Sequence, residues 1–354
     1  MVPHIIRRRL SVAVAIVLIA SLVAACGEGE DATGTRAAVA TAASQSQNSP
    51  TTKSTTRPAA TVSPTTMPAS PVAASTTEPA TTAMPARAAG QLTYAKFLGD
   101  NPEIFVSNAD GSGTVQLTDD PGRDLCPAFN HDASAILFCS DRTGQFEIWT
   151  MGTDGTGQRQ LTDMGGRVLF PKQSPDGRTI AFSGAATPDD VEGSSDIWSI
   201  QSDGSGLTQL TSTPGDDSYV TWSPDGSSIA WVSIQDGSSE IWVMNADGSG
   251  ARALTSDATA KDQLPDWSPD GRRIAYESGG DIAVMNADGT GAVVITQGPA
   301  EDFGPAWSPD GTEIAFVSVR DEGQHVYVVG ADGSYERPVV TDGKIAVPDW
   351  SPGA

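Results

Sequence analysis

The sequence predicts an all-β domain, a six-bladed β-propeller closed between its N- and C-terminal strands. Two observations favour this fold. A turn of the form N-A-D-G-S-G recurs every 41 to 49 residues, with its aspartate at Asp110, Asp154, Asp203, Asp247, Asp288 and Asp332. The element W-S-P-D-G recurs out of phase with it, and its last copy, W-S-P-G-A, ends the sequence. A fixed period of this length is typical of stacked or radial repeat units.

Each repeat is interpreted as four antiparallel strands, named a, b, c and d in chain order. In the copy spanning 222–255, IAWVS and EIWVMN (strands b and c) are rich in β-branched and aromatic residues and are bounded by Gly, Asp and Ser. The Asp-Gly pairs supply the positive φ that tight hairpins need. The domain begins with copies of b, c and d and ends with strand a (VPDWS). Joining its ends would therefore complete a sixth blade and remove exposed sheet edges.

The first 89 residues belong to a different class of sequence. Arg7, Arg8 and Arg9 precede an apolar run over 10–25, the order found in a secretory signal. This run is shorter than the roughly 20 apolar residues that a membrane span needs. The stretch V-A-A-C resembles the bacterial lipobox, which implies a signal peptide over 1–25 and lipidation of Cys26. An ordinary cleaved signal with an unrelated cysteine is the alternative.

Residues 26–89 are rich in Thr, Ala, Ser and Pro and hold too few large apolar groups to pack, which predicts a disordered tether. Residues 90–354 then form the propeller. We expect it to be extracytoplasmic, held on the outer leaflet or the periplasmic side of a membrane by the lipid anchor.

The propeller region is strongly acidic. The whole chain carries a net charge of −23, and the first 89 residues are basic overall. Nucleic acid and anionic lipid surfaces are therefore poor partners, because the field of the domain repels phosphate. No cofactor or metal is predicted: the N-A-D-G-S-G turn has Val243 where a calcium loop needs an acidic ligand. A monomeric propeller is expected.

The repeat carries a family resemblance. The series P-x-W-S-P-D-G, then I-A-F/W/Y-x-S, then E/D-I-W-V-M-N-A-D-G-S-G and L-T resembles the WD40-like propeller repeat of TolB-type proteins, over the whole of 90–354. TolB itself has an α/β domain where this chain has a tether. Similar repeats gate the hydrolase domain of tricorn-like and prolyl-oligopeptidase-type peptidases. This sequence has no G-x-S-x-G elbow for such a domain, so an enzyme is not predicted.

The loops predict which face binds. Successive loops of an up-and-down blade alternate between the two faces, so the a–b and c–d turns share one face and the b–c and d–a loops share the other. The first, which we call the uniform face, repeats its sequence. The second, the variable face, differs from copy to copy, which is typical of a binding face.

Charged residues cluster where the d–a loops enter strand a. An aspartate stands five residues before the tryptophan position in four copies, and a cation stands near the same place in two others: Asp124, Asp217, Asp262, Asp302, Arg167 and Lys344. We expect them to surround the channel mouth as a funnel for a cationic segment or a metal ion. The alternative is a solvated rim of turn residues.

Cys126 and Cys139 lie on strands a and b of one repeat. Counting outward from the intervening turn N-H-D-A-S places them opposite each other, so a disulfide is expected in an exported protein. Two free thiols are the alternative.

Two functions are consistent with these patterns. The first is a membrane-tethered scaffold that binds an envelope protein or peptide through the variable face. The second is a cell-envelope carbohydrate-binding protein or glycoside hydrolase that uses the acidic mouth, since that hydrolysis needs only two carboxylates at a suitable separation.

Overall fold

The computed structural model describes residues 90–185, 195–235, 237–256, 261–321 and 323–353. All regular elements in these ranges are β-strands. Within the same ranges, no helix is long and apolar enough to span a membrane. The signal peptide, the lipidation at Cys26 and the tether were predicted for residues 1–89, which lie outside the described residues.

The strands follow the predicted order along the chain. The first three are β1 (Gln91–Leu98), β2 (Asn101–Asn108) and β3 (Val115–Gln116). Blade A consists of β4 (Asp124–Phe129), β5 (Ala135–Ser140), β6 (Glu147–Gly152) and β7 (Arg159–Gln160). Blade B consists of β8 (Val168–Gln173), β9 (Thr179–Gly184), β10 (Asp196–Gln201) and β11 (Thr208–Gln209).

The remaining strands form two further blades and the end of the domain. Blade C consists of β12 (Asp216–Trp222), β13 (Ser228–Gln235), β14 (Ser238–Asn245) and β15 (Arg252–Ala253). Blade D consists of β16 (Asp262–Trp267), β17 (Arg273–Ser278), β18 (Asp281–Asn286) and β19 (Val293–Val294). The last strands are β20 (Glu301–Trp307), β21 (Glu313–Arg320), β22 (Gly323–Gly330), β23 (Glu336–Val340), β24 (Lys344–Ile345) and β25 (Asp349–Trp350).

The prediction of six separate four-stranded blades is wrong. The described residues form four separate blades, and β1–β3 join β20–β25 in one nine-stranded sheet, which we name the closing sheet. The cause is β24, which pairs parallel with β22 at Gln324 and Lys344 and antiparallel with β1 at Lys96 and Ile345. A segment expected to be a plain loop therefore joins the two ends of the domain into one sheet.

The C-terminal strand contributes to the same junction. β25 pairs antiparallel with β1, with Trp350 opposite Leu92 and Asp349 opposite Thr93. The backbone N–H of Ser351 donates to the carbonyl of Gln91 at 2.8 Å, and the N–H of Gln91 donates to the Ser351 hydroxyl at 2.9 Å. The innermost strands β4, β8, β12, β16 and β20 contact one another in sequence order, and β25 lies between β20 and β4. They surround a central channel.

The turns of the uniform face are built alike. In each c–d turn an aspartate carboxylate accepts the backbone N–H two residues later, as Asp247 does from Ser249 at 2.9 Å. The a–b turns use the same bond, as between Asp225 and Ser227 at 3.0 Å. A short polar side chain that bonds its own backbone in this way stabilises a tight turn. These hydrogen bonds lower the pKa of Asp247 and Asp225.

The apolar core lies between neighbouring sheets. Several tryptophans fill this space. Trp231 is 1% exposed, Trp307 and Trp350 are 5% exposed and Trp222 is 9% exposed, whereas Trp149 and Trp242 are only partly buried. Most of the indole surface is therefore structural.

Candidate functional site

The central channel is shaped by an irregularity that recurs in the inner strands. In β4, β8, β12, β16 and β20 the pairing register with the next strand shifts by one residue, which marks a β-bulge. The residue in the bulge has a positive φ, with values of 52° at Cys126, 55° at Phe170 and Tyr219, 52° at Leu264 and 64° at Gly304. Non-glycine residues seldom adopt this conformation, and such outliers are enriched at binding sites.

The bulges place a ring of mostly apolar residues on the channel wall. These residues line a small cavity together with the prolines that follow several of them. The rings of Phe170 and Tyr219 pack against each other with their centroids 4.2 Å apart. Burial raises the pKa of Tyr219, so its hydroxyl stays protonated at neutral pH. This part of the channel is a narrow apolar neck.

A charged layer lies next to the neck, formed by Lys172, Asp266 and Asp349. The ammonium group of Lys172 forms an ion pair with the carboxylate of Asp349. Asp349 also accepts the backbone N–H of Phe129 at 2.8 Å, and Asp266 accepts the N–H of Trp307 at 2.8 Å. Each carboxylate therefore links its own strand to the next inner strand around the channel.

Burial and mutual charge shift the pKa values in this layer. The pKa of Asp266 is raised to about 6, chiefly by burial; the charge of Asp349 contributes to the rise, whereas Lys172 and the N–H of Trp307 oppose it. Burial alone would lower the pKa of Lys172, but Asp349 and Asp266 raise it overall. At neutral pH Asp266 is therefore largely ionised and lies beside the ion pair of Lys172 and Asp349.

None of the six residues predicted to form an acidic mouth lies in the lining of the central cavity, and their role at the mouth stays a prediction. The four aspartates among them are buried, with 0% exposure for Asp124 and Asp217, 3% for Asp262 and 2% for Asp302. Asp124 is bound by Arg142, and Asp262 and Asp302 accept hydroxyl hydrogen bonds from Ser278 at 2.7 Å and Ser318 at 2.5 Å. Burial raises the pKa of both Asp124 and Asp302.

The two cations of the predicted mouth do not line the central cavity either. The Arg167 guanidinium donates to the Ser195 hydroxyl at 3.3 Å. Lys344 lies at the junction of β22, β24 and β1, where its ammonium is 4.6 Å from the centre of the Phe97 ring. It lines a second cavity of about 920 Å³ with Gln324 and His325. Burial lowers the pKa of Lys344.

The strand register of the two cysteines differs from the expected one, while their disulfide stays a prediction. The bulge places Leu125, not Cys126, opposite Cys139. Both cysteines are free thiols in this structure, Cys126 on the channel wall and Cys139 fully buried. Burial raises the pKa of Cys139, and the hydrogen bond between the two thiols adds to the shift. Whether they become oxidised stays a prediction.

Sequence reasoning missed another buried acid, Glu277 on β17. It is 3% exposed and lies opposite Gln263, which is equally buried. Oε2 of Glu277 and Oε1 of Gln263 have no hydrogen-bond partner among the described residues. The corresponding positions of blade A hold Cys139 and Leu125, so the signal was an acidic residue at a point of strand b that carries no charge in that blade.

No group of three His, Cys, Asp or Glu side chains within the described ranges is arranged to hold a metal ion. The expected absence of a metal stays a prediction.

These strands define a β-propeller whose channel combines an apolar neck with a charged layer. The sequence matches the TolB beta propeller domain over residues 80–188 and 185–354, and the chain therefore belongs to that family. No curated protein matches it.

Solved structures show the same fold. TolB from Acinetobacter baumannii superposes with a TM-score of 0.65 at 19% identity, covering 75% of this chain and 67% of that one. A TolB-like protein of Agrobacterium tumefaciens gives 0.58 at 21% identity, covering 75% and 99%. An oligogalacturonate lyase from Vibrio parahaemolyticus gives 0.52 at 14% identity, covering 71% and 75%. At these identities the likeness concerns the fold alone.

Proposed function

We propose that this protein is a membrane-tethered, extracytoplasmic propeller that binds a protein or peptide partner through its variable face. The observation that carries the proposal is the difference between the two faces. The turns of the uniform face are held by the same aspartate bond from blade to blade. The loops of the variable face differ in length and sequence, which is how repeat proteins vary their partners on a constant scaffold.

The variable face also offers a place for a partner's side chain. The cavity beside Lys344 lies between the loop that joins β21 to β22 and the chain that enters β24. His325 and Gln324 form part of its wall, and Nδ1 of His325 has no hydrogen-bond partner among the described residues. A partner that inserts an acceptor group here would satisfy this nitrogen and pair with Lys344.

The membrane attachment rests on the sequence. The lipobox-like V-A-A-C motif at Cys26 and the Thr/Pro-rich stretch after it favour a lipid anchor on a long tether. The acidity of the chain favours a protein or peptide partner over nucleic acid. Replacing Cys26 by Ser should move the protein from the membrane fraction to the soluble extracytoplasmic fraction, and retention in the membrane would contradict the anchor.

The binding proposal is tested by crosslinking the native lipoprotein in its own envelope, followed by mass spectrometry. We expect crosslinks to map to b–c and d–a loops. Two charge reversals are compared, one on each face. Lys344→Glu on the variable face should reduce recovery of the partner several-fold. Arg178→Glu, on an 81% exposed side chain of the uniform face, should leave recovery unchanged. Crosslinks confined to the uniform face would refute the proposal.

The carbohydrate-binding or glycoside hydrolase alternative has one observation in its favour, the shared fold with an oligogalacturonate lyase. It has less support, because the aspartates expected to act at the mouth are buried and hydrogen-bonded. Turnover of any glycan in a broad panel, lost in Asp262→Asn or Asp302→Asn with the fold intact, would favour it.

A further inference from the structure

The charged layer of the channel has one carboxylate more than it has cations. Lys172 pairs with Asp349, whereas Asp266 makes hydrogen bonds to the N–H of Trp307 and, at 3.3 Å, to the hydroxyl of Thr221. No ion pair to Asp266 is formed among the residues that the structure describes. A largely ionised, half-buried carboxylate without its own cation is costly, so a bound cation would stabilise it.

This carboxylate can be approached from the uniform face. A cavity of about 550 Å³, which we name the proline cavity, is lined by both Asp266 and Asp349. Its other walls come from the W-S-P segments of β16, β20 and β25, namely Trp267, Pro269, Trp307, Ser308, Pro309, Trp350, Ser351 and Pro352. Asp266 also lines the central cavity. The charged layer therefore lies where the two cavities meet.

The walls of the proline cavity suit an alkyl chain attached to a peptide. The three proline rings are apolar and rigid. The indole N–H groups of Trp267 and Trp307 have no acceptor within the described part of the chain. Both nitrogens are buried in this structure, so the apolar proline and indole surfaces are what a ligand in this cavity would contact.

The chain itself shows which cation the layer accepts. Lys172 lies on β8, and its primary ammonium, at the end of a four-carbon chain, reaches Asp349 on β25. These two strands are not neighbours in the ring of inner strands. An ammonium is a compact charge with three donors, and it can bridge carboxylates whose other lone pairs already accept backbone N–H groups. Divalent metals would need more oxygen ligands than these two side chains supply.

We propose that the proline cavity binds a primary ammonium group carried on an alkyl chain, as in a lysine side chain, with the ammonium placed between Asp266 and Asp349. The site lies on the uniform face, so it does not depend on the variable-face function proposed above. The bound ammonium enters beside Lys172, shares Asp349 with it and pairs with Asp266.

The test uses the full-length protein and Nα-acetyl-lysine methylamide, followed by NMR of the tryptophan indole N–H signals. We expect saturable shifts of the Trp267 and Trp307 signals, assigned by Trp→Phe variants. The same compound acetylated at its side-chain nitrogen should cause none. The same signals are then measured with cadaverine, a diamine with an alkyl chain, and with glycinamide, which has only an α-ammonium. We expect shifts with cadaverine and none with glycinamide. Shifts that are equal for the acetylated compound, or absent for every amine, would overturn the proposal.

Variants locate the ammonium. Asp266→Asn should weaken binding at least tenfold, whereas Asp342→Asn, the same change at a largely exposed carboxylate on another surface, should not. Lys172→Met removes the internal competitor and should strengthen binding several-fold. Alkylamine should also raise the melting temperature of that variant more than it raises that of the unaltered protein. Weaker binding in Lys172→Met would mean that Lys172 itself recognises the ligand, and it would refute the placement of the ammonium between Asp266 and Asp349. If this variant does not fold, the result for Asp266→Asn decides the outcome.

Discussion

Trp350 is the antiparallel partner of Leu92, so the last described strand is bonded to the first. Both side chains are buried, and they belong to one apolar cluster with Tyr94 and Ile345. Removing a buried tryptophan costs about 3–5 kcal/mol, because transfer energy is lost and a cavity remains. We therefore expect Trp350→Ala to lower the melting temperature by many degrees, and deletion of 347–354 to lower it further.

The control for this closure is Val293→Ala, since Val293 is 61% exposed on the outer strand β19. Its melting temperature should stay within a degree or two of the parent protein. If thermal unfolding of the 347–354 deletion matched that of the parent, the pairing of the two ends would contribute nothing to stability.

The thiols of Cys126 and Cys139 are close enough for a hydrogen bond, although the bulge offsets their backbones. Because the chain is expected in an oxidising compartment, we predict that they form a disulfide in the mature protein. Mass spectrometry after alkylation without reductant should find neither cysteine modified. Alkylation of Cys126, whose side chain faces the channel, would show that the pair remains reduced.

Glu277 should make stability depend on pH. Burial raises the pKa of its carboxyl to about 8, with Glu301 and Asp262 adding to the shift. A carboxyl whose pKa is raised by folding holds a proton that the unfolded chain releases. Stability should therefore fall as pH rises from about 4.5 to about 8, by up to about 1.4 kcal/mol per pH unit.

Replacing Glu277 by Gln keeps the shape and removes the titration. We expect this variant to be more stable than the parent at pH 8 and to show a shallower decline between pH 5 and pH 8, because other buried carboxyls such as Asp266 still contribute. The matched control is Asp321→Asn, at an exposed position. Denaturant unfolding at several pH values measures the effect; parallel pH profiles for the parent and Glu277→Gln would contradict it.

The strand order and the pairing of the two ends could be predicted from the sequence, because they depend on the period of the turns and on alternation within strands b and c. The side of each inner strand on which a residue lies could not be predicted. Plain alternation from the tryptophan position places Asp124, Cys126 and Ala128 on one side of β4. The bulge at Cys126 adds a residue, so Asp124 is buried opposite Ser140 instead.

The residue types at the bulge position do not predict a bulge in most repeats. Cys126, Phe170 and Leu264 are residues that seldom take a positive φ, and only Gly304 at the equivalent position suggests it. The charged layer had a weaker signal: Asp266 and Asp349 directly precede the tryptophan in P-D-W, on the side of the strand away from the core. The pairing of Lys172 with Asp349 joins strands that are not neighbours, which a pattern within single repeats cannot show.

The pair formed by Asp124 and Arg142 gives a test of whether the predicted mouth is structural. The Arg142 guanidinium donates to both oxygens of the fully buried Asp124, at 2.8 and 3.0 Å, and lies 4.7 Å from the centre of the Trp149 ring. Removing the cation leaves an uncompensated buried carboxylate, which costs about 3–5 kcal/mol. We expect Arg142→Ala to lower the free energy of unfolding by that amount, and Asp124→Asn by less, because a neutral amide needs no cation. Arg178→Ala removes an exposed arginine 3.9 Å from Asp176 and should cost less than about 0.5 kcal/mol. If Arg142→Ala were as stable as Arg178→Ala, the pair of Asp124 and Arg142 would not stabilise the fold. That result would contradict the structural role and favour the mouth predicted from the sequence.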